Sequence, residues 1–297
     1  MSRDLRVVLT GHTFLESPRW HEGRIWVTDF FTNQILSATE TGADLRVEAV
    51  VPQQPSGIGW LPDGRLVVVS MRDHRLLRRE VSGALVTHAY LGDRACGFPN
   101  DMVVAADGRA YVGNFGFDLQ SGAPMETAVL LCVDPDGAVT EVADDLWFPN
   151  GMVISDDGSL IVGESFGNRV TEFDIQPDGG LTGRRDFARF GPLPTVRAIA
   201  DFLPGLSVTP DGCCLDADGA LWVADAVNGR VLRVVRGGEI VDTIEPGAGV
   251  FACMLGGADG RTLFMCAAPD SDEEARSAAR DAQLLATTVD VPRAGRP

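Results

Sequence analysis

"FPNDMVVAADGRAYVGNF" (98–115) and "FPNGMVISDDGSLIVGESF" (148–166) follow one plan: Phe-Pro-Asn, an apolar run, an Asp-Gly, a second apolar run. Asp-Gly between two β-rich runs signals a hairpin, because glycine accepts the positive φ of a tight turn. The plan recurs. Pro55 to Gly64, Pro99 to Gly108, Pro149 to Gly158 and Pro210 to Gly219 are each nine residues apart. The runs that follow read "RLVVVS", "RAYVGNF", "SLIVGES" and "ALWVADA". "VFACMLGGADGRTLFMCAAP" (250–269) fits with Phe251 at the proline position, and "FLESPRWHEGRIWVTDF" (14–30) fits with Glu22-Gly23 as its turn.

The six turn glycines, at 23, 64, 108, 158, 219 and 260, recur every 41 to 61 residues. A third strand follows a polar turn in "TNQILSA", "DHRLLRR", "GNRVTEFD" and "NGRVLRV", and a weaker fourth follows in pieces such as "AVTEVAD" and "GEIVDTIE". Six such units predict an all-β chain. The expected form is a six-bladed β-propeller of four-stranded antiparallel blades around a central channel, as a single domain over 1–297. The first strand of each blade lines the channel, and "DLRVVL" (4–9) closes the last blade as its outer strand. Insertions are expected at 116–128 and 183–205. "DSDEEARSAARDAQLL" (270–285) reads as a solvated excursion of blade six, helix or loop. A two-sheet sandwich does not explain a six-fold recurrence.

The 297 residues are 45% hydrophobic and 23% charged, enough for a sizeable core. A net charge of −17 repels phosphate backbones and anionic lipid, so neither nucleic acid nor membrane is an expected partner. No apolar run approaches the roughly 18 residues of a membrane span, and the N-terminus shows no signal-peptide core. Six cysteines without C-x-x-C spacing read as reduced, mostly buried residues of a cytoplasmic protein. A Gly-x-Ser-x-Gly match occurs once, in "GESFG" (163–167), but it leads into "GNRVTEFD", a turn and a strand, where a nucleophile elbow needs a helix; His12, His21, His74 and His88 form no triad or zinc pattern, which disfavours serine-hydrolase chemistry. Oligomeric state is left open.

In a propeller the loops entering the innermost strands converge on the axis. The residues after the prolines are Ser56, Asn100, Asn150 and Asp211. Blade one offers Glu16, one place out of register, an offset that a shorter hairpin or a bulge would absorb. Carboxylates and an amide from separate blades make an oxygen-only set suited to hard cations. The competing reading is turn chemistry, since Asn and Asp after Pro cap local backbone groups. The aspartates of the Asp-Gly turns (Asp63, Asp107, Asp157, Asp218, Asp259) are read as structural.

The pieces "LESPRW", "FPNDMVVAADG", "FPNGMVISDDG" and "TPDGCCLDADGALWVADAVNGRVLRV" resemble the gluconolactonase, regucalcin and luciferin-regenerating-enzyme family over nearly the whole chain. The resemblance implies one divalent metal in the channel, Ca²⁺ first, with Zn²⁺, Mg²⁺ or Mn²⁺ as alternatives. Carried over residue by residue, Glu16, Asn150 and Asp211 match the metal ligands. Asn100 matches the asparagine that contacts substrate or metal-bound water, and Asp101 follows it. One position departs: sugar-lactonase members carry an arginine where this chain has Phe98. An aromatic ring cannot donate hydrogen bonds to a polyol, and Phe148 in the next repeat is apolar too. Asn114, Phe115 and Phe117 are further candidates to line the pocket.

The function expected is a metal-dependent hydrolase that opens a small lactone, with Asp211 as general base and Glu16 as second choice. The alternatives are phosphotriester hydrolysis at the same metal or a non-enzymatic ligand-binding propeller. Arg72 and His74 are expected in a strand-connecting turn, Glu164 bonded to a neighbouring blade, and 190–206 with Phe202 over the channel mouth.

Overall fold

The Asp-Gly turns form as their chemistry predicts. Gly23, Gly64, Gly108, Gly158, Gly219 and Gly260 all have φ between 74° and 90°, where a Cβ is disfavoured. Asp63, Asp107 and Asp259 each accept the backbone N–H two residues on, at 3.0, 3.1 and 2.9 Å. The computed structural model describes residues 3–295. The ends of the expected 1–297 span, residues 1–2 and 296–297, lie outside the described residues.

Among the described residues, twenty-four strands form six four-stranded antiparallel sheets, the blades of a propeller. The inner strands are Leu15–His21, Pro55–Trp60, Pro99–Val104, Pro149–Ile154, Pro210–Leu215 and Gly249–Gly256. Each touches the next and the sixth touches the first, which closes the ring. Strand Arg6–His12 pairs with Ala282–Thr288 as the outermost strand of blade six. Blade six is therefore built from both ends of the chain, and the sheet it completes holds the ring shut.

Apolar faces pack blade against blade. Val153, Ile161 and Phe187 of blade four lie against Cys213, Leu221 and Val223 of blade five, all buried. Near the axis the backbones come closer still. A Cβ on Gly151 would sit 2.3 Å from the Asp211 carbonyl oxygen, and one on Gly57 2.6 Å from the Met102 nitrogen. Only glycine permits these approaches. Five cysteines are buried, Cys96 is exposed, and none is in a disulfide.

The first insertion lies where expected, between strands Ala110–Asn114 and Ala128–Val133. The second starts later than the sequence suggests. Strand Leu181–Arg189 takes up all of "GRRDFAR" because Phe187 and Ala188 are buried against blade five. The acidic excursion holds a helix, Glu273–Ala279, capped by Asp272, which accepts the Ala275 N–H at 2.7 Å. Glu273 pairs with Arg72 at 2.6 Å and so ties blade six to a turn of blade two. Arg72 and His74 sit in that turn, where the His74 N–H bonds the Met71 carbonyl at 3.2 Å. Among the described residues, no helix is long and apolar enough to cross a membrane.

Candidate active site

Strand register resolves the offset at Glu16. Leu15 pairs with Asp29 as Pro55 pairs with Ser70, Pro99 with Asn114, Pro149 with Glu164 and Pro210 with Asp225. Glu16 is therefore in register with Ser56, Asn100, Asn150 and Asp211. The shorter hairpin absorbs the offset, since blade one turns through residues 22–23 where blade two uses 61–65. In all five blades the pairing is irregular just after this position. Such a bulge bends the strand and re-aims side chains. Blade six brings no side-chain oxygen here, its strand beginning Gly249, Val250, Phe251, Ala252.

One hydrogen-bonded chain joins blades two to five. Ser56 Oγ donates to Asn100 Oδ1 at 2.8 Å, and Asn100 Nδ2 donates to Asn150 Oδ1 at 3.2 Å. Asn150 Nδ2 donates to Ser165 Oγ at 3.1 Å, which donates to the Pro210 carbonyl at 2.7 Å. Asp211 accepts from the Gly212 N–H and from the Asn150 side chain, while Glu16 Oε2 accepts the Ser17 N–H at 3.1 Å. Ser165 could be found from sequence only as the residue after the second strand of its repeat, and nothing in it signals this contact.

Asp101 points into the same space from a fixed mount. Its Oδ1 accepts from Arg19 Nη2 and the Met102 N–H, both at 2.8 Å, and from Ser17 Oγ at 3.4 Å. Arg19 also donates to the Met102 carbonyl at 2.8 Å and is buried. This arginine stands in "LESPRW", yet sequence reasoning assigned it no role. A charged residue on a channel-lining strand was the available signal.

The carboxylates are in an unusual state. Burial pushes Glu16 up to about 8, with Asp101 adding to the rise and the Ser17 N–H and Arg19 opposing it. Burial, then Glu16 and Asp101, hold Asp211 well above the ordinary carboxylate range. Among the described residues neither Glu16 nor Asp211 has an ion-pair partner. Two converging acids without an ion-pair partner, beside the Asn150 amide, suit a hard divalent cation. Among the described residues no three His, Cys, Asp or Glu side chains form a cation-holding group, so the set depends on that amide.

A pH dependence follows. Folding raises the proton affinity of Glu16, so its contribution to stability is full below its ordinary 4.5 and is lost as pH rises towards about 8. A cation binds the ionised form and displaces the proton. Calorimetry of the cation-free protein should show Tm falling between pH 5 and pH 8, with saturating Ca²⁺ raising Tm more at pH 8. Equal Ca²⁺ shifts at both values would contradict this.

The other candidates divide. Asn114 is buried, and both ends of its amide are committed: Nδ2 to the Val129 carbonyl at 2.7 Å, Oδ1 to the Gly116 N–H at 3.0 Å. It holds the start of the insertion. Glu164 bonds within its own blade and its entry loop, not to a neighbouring blade as the sequence suggested. It is wholly buried, accepts from Arg169 Nε at 2.7 Å, from Thr171 and from the Trp147 N–H at 2.8 Å. Asp225 does the same with Arg230 and the Thr209 N–H, and Asp29 takes the N–H groups of Thr13 and Phe14. An acid at the end of the second strand thus clamps the loop that enters the inner strand.

Aromatic rings gather at this end of the channel. Phe98 lies 6.3 Å from Phe115, Phe115 4.5 Å from Phe148, Phe148 5.1 Å from Phe166, and Phe166 5.0 Å from Phe202. A second group centres on Phe14, 4.8 Å from Phe251 and 5.9 Å from Phe31. Phe98, Phe115, Phe31 and Phe251 are partly exposed, whereas Phe148, Phe117 and Phe202 are buried.

A family model described as "SMP-30/Gluconolactonase/LRE-like region" matches residues 14–269. The pentonolactonase XacC of Haloferax volcanii is 28% identical, over 98% of this chain and 96% of its own length. A 6-deoxy-6-sulfogluconolactonase of Pseudomonas putida is 28% identical over 72% of each. The match to the regucalcin of Danio rerio, at 29% identity, spans 57% of this chain and 54% of that protein. The crystal structure of a regucalcin from Agrobacterium tumefaciens, described as a calcium-binding protein, superposes with a TM-score of 0.80. It is 21% identical and covers all of this chain and 97% of its own.

Proposed function

The chain belongs to the SMP-30/gluconolactonase/LRE-like family, and on that footing we propose that it is a lactonase that opens a small cyclic ester at the floor of the channel with one divalent cation. The observation that supports this most is the convergence of Glu16, Asn150 and Asp211: a half-buried acid and a buried one, neither with an ion-pair partner among the described residues, beside the Asn150 amide. These three would hold the cation. Ca²⁺ is the first choice, in keeping with the calcium-binding regucalcin that shares the fold. Bound there, a divalent cation supplies Lewis-acid polarisation of an ester carbonyl and makes water more acidic.

The protein's own groups supply the rest. Asp211, ionised when the site is loaded and given a raised proton affinity by burial, takes a proton from the attacking water as the water oxygen bonds to the carbonyl carbon. It returns that proton to the ring oxygen as the C–O bond breaks, and a hydroxy acid leaves. Glu16 is the second candidate for this role. Asn100, gripped between Ser56 and Asn150, orients substrate or water and cannot act as a base. Asp101 borders the same space, locked by Arg19, and keeps the floor acidic. Phe98 and Phe148 form the apolar wall above.

The test is turnover on a panel of lactones, with a phosphotriester included, measured by pH-stat. Hydrolysis with Ca²⁺ should fall by at least ~10²-fold after chelation and return on adding the ion back. A cation-loaded protein that opens no lactone would overturn the reading.

A further inference from the structure

Building on the lactonase reading, we infer that the substrate carries an apolar alkyl or aryl group on its ring in place of a polyol chain. The placement of the phenylalanines leads to this. Ten of the fourteen belong to the two clusters that reach the end of the channel where Glu16, Asn100 and Asn150 stand. Phe14, Phe98 and Phe148 each stand just before an inner strand, and Phe30 and Phe115 just after a second strand. One group rises from blades three and four and the other from blades one and six. The loops that lead into and out of the strands bearing these residues are therefore aromatic in both groups, with partly exposed rings in each.

The arginines nearest this end, the usual strong donors to sugar hydroxyls, are committed elsewhere, while Ser70 and Thr209 offer only single hydroxyls. Arg72 is held by Gln54 at 2.8 Å and Glu273 at 2.6 Å. Arg169 is held by Glu164 and Arg230 by Asp225, both at 2.7 Å. Arg19 is locked on Asp101 at 2.8 Å, and the Asn114 amide is spent on backbone. His74 presents its ring to Phe98 at 5.8 Å, with Nδ1 3.3 Å from the Gly92 carbonyl oxygen. A polyol lactone entering here would meet polar groups only at the floor and would give up hydrogen bonds to water along the aromatic walls without replacing them there. An apolar ring would gain by leaving water for the aromatic rims.

The experiment uses the full chain loaded with Ca²⁺. kcat/KM is compared for dihydrocoumarin and glucono-δ-lactone, and binding of the non-hydrolysable lactam analogue of dihydrocoumarin is followed by calorimetry. The aryl lactone should be favoured by ~10²-fold or more, and the lactam should bind. Phe98→Arg should cut the aryl preference by ~10-fold, mainly through KM, with the Ca²⁺-induced Tm shift retained as proof of an intact site. Phe98→Ala should lie between the two. Equal or faster turnover of glucono-δ-lactone by the wild type would overturn the inference and leave the lactonase reading standing. Lactam binding without hydrolysis of either ester would sustain the apolar site and overturn the lactonase reading. Failure to bind the lactam or open either ester would overturn both.

Discussion

Asp211→Asn is expected to abolish the cation response and to lower kcat/KM by ~10³-fold or more. The substitution keeps the shape of the side chain and removes its charge. It also removes the acid that Glu16 and Asp101 press upon, so the cation-free variant should fold and, at pH 8, melt no lower than wild type. What disappears is the gain from the ion. For wild type at a hundredfold excess over Kd that gain is about 2.7 kcal/mol, on the order of 4 °C for a chain of this size. Scanning calorimetry with and without Ca²⁺ separates the two effects, and steady-state kinetics reads the third. A variant that kept the full Ca²⁺ shift would remove Asp211 from the ligand set. A variant that kept the shift and lost only turnover would leave Asp211 as the base alone.

The second large effect lies away from the channel floor. Glu164→Ala should cost about 3–5 kcal/mol, because it strands the guanidinium of Arg169 in a buried site and frees the Trp147 N–H. In Tm that is on the order of 5–10 °C, with or without Ca²⁺. Glu164→Gln, which can still accept the Trp147 N–H, should lose less. The neighbouring Ser165 is the only link from this clamp to Asn150 among the described hydrogen bonds. A chemical denaturation series on both variants measures the cost. An Ala variant as stable as wild type would show that the clamp is dispensable.

Much of this was legible beforehand because it is local. An Asp-Gly turn is recognisable in four residues, and a strand's alternation in six. Six turns with four strands each left one architecture, and the N-terminal strand duly closes blade six. The residues facing the axis were legible too, as the positions after the prolines. Glu16 was the exception, displaced by one because its hairpin is shorter, and only strand pairing shows it level with Asn150 and Asp211.

Other features depended on distances between blades, which no local pattern encodes. Arg19 and Asp101 lie 82 residues apart and meet at 2.8 Å, and Gly57, having no Cβ, lets the backbone at Asp101 and Met102 approach its strand. Glu164 found its partners in its own blade because the register puts Arg169 directly opposite it. The strand Leu181–Arg189 outran its expected limit because Phe187 is buried against the next blade. Phe98 was visible in the sequence as a single departure from a sugar-binding pattern. Its membership of a wall of rings came from ring closure, which carries residues from Phe14 to Phe251 to one end of the channel. By itself, then, the sequence determined the repeat, the blade count and the set of oxygen-bearing positions, since turn and strand chemistry act over a few residues. The tertiary structure alone decided which acids are left without a counter-charge and which surface surrounds them, since both follow from how closely distant strands approach once the ring is closed.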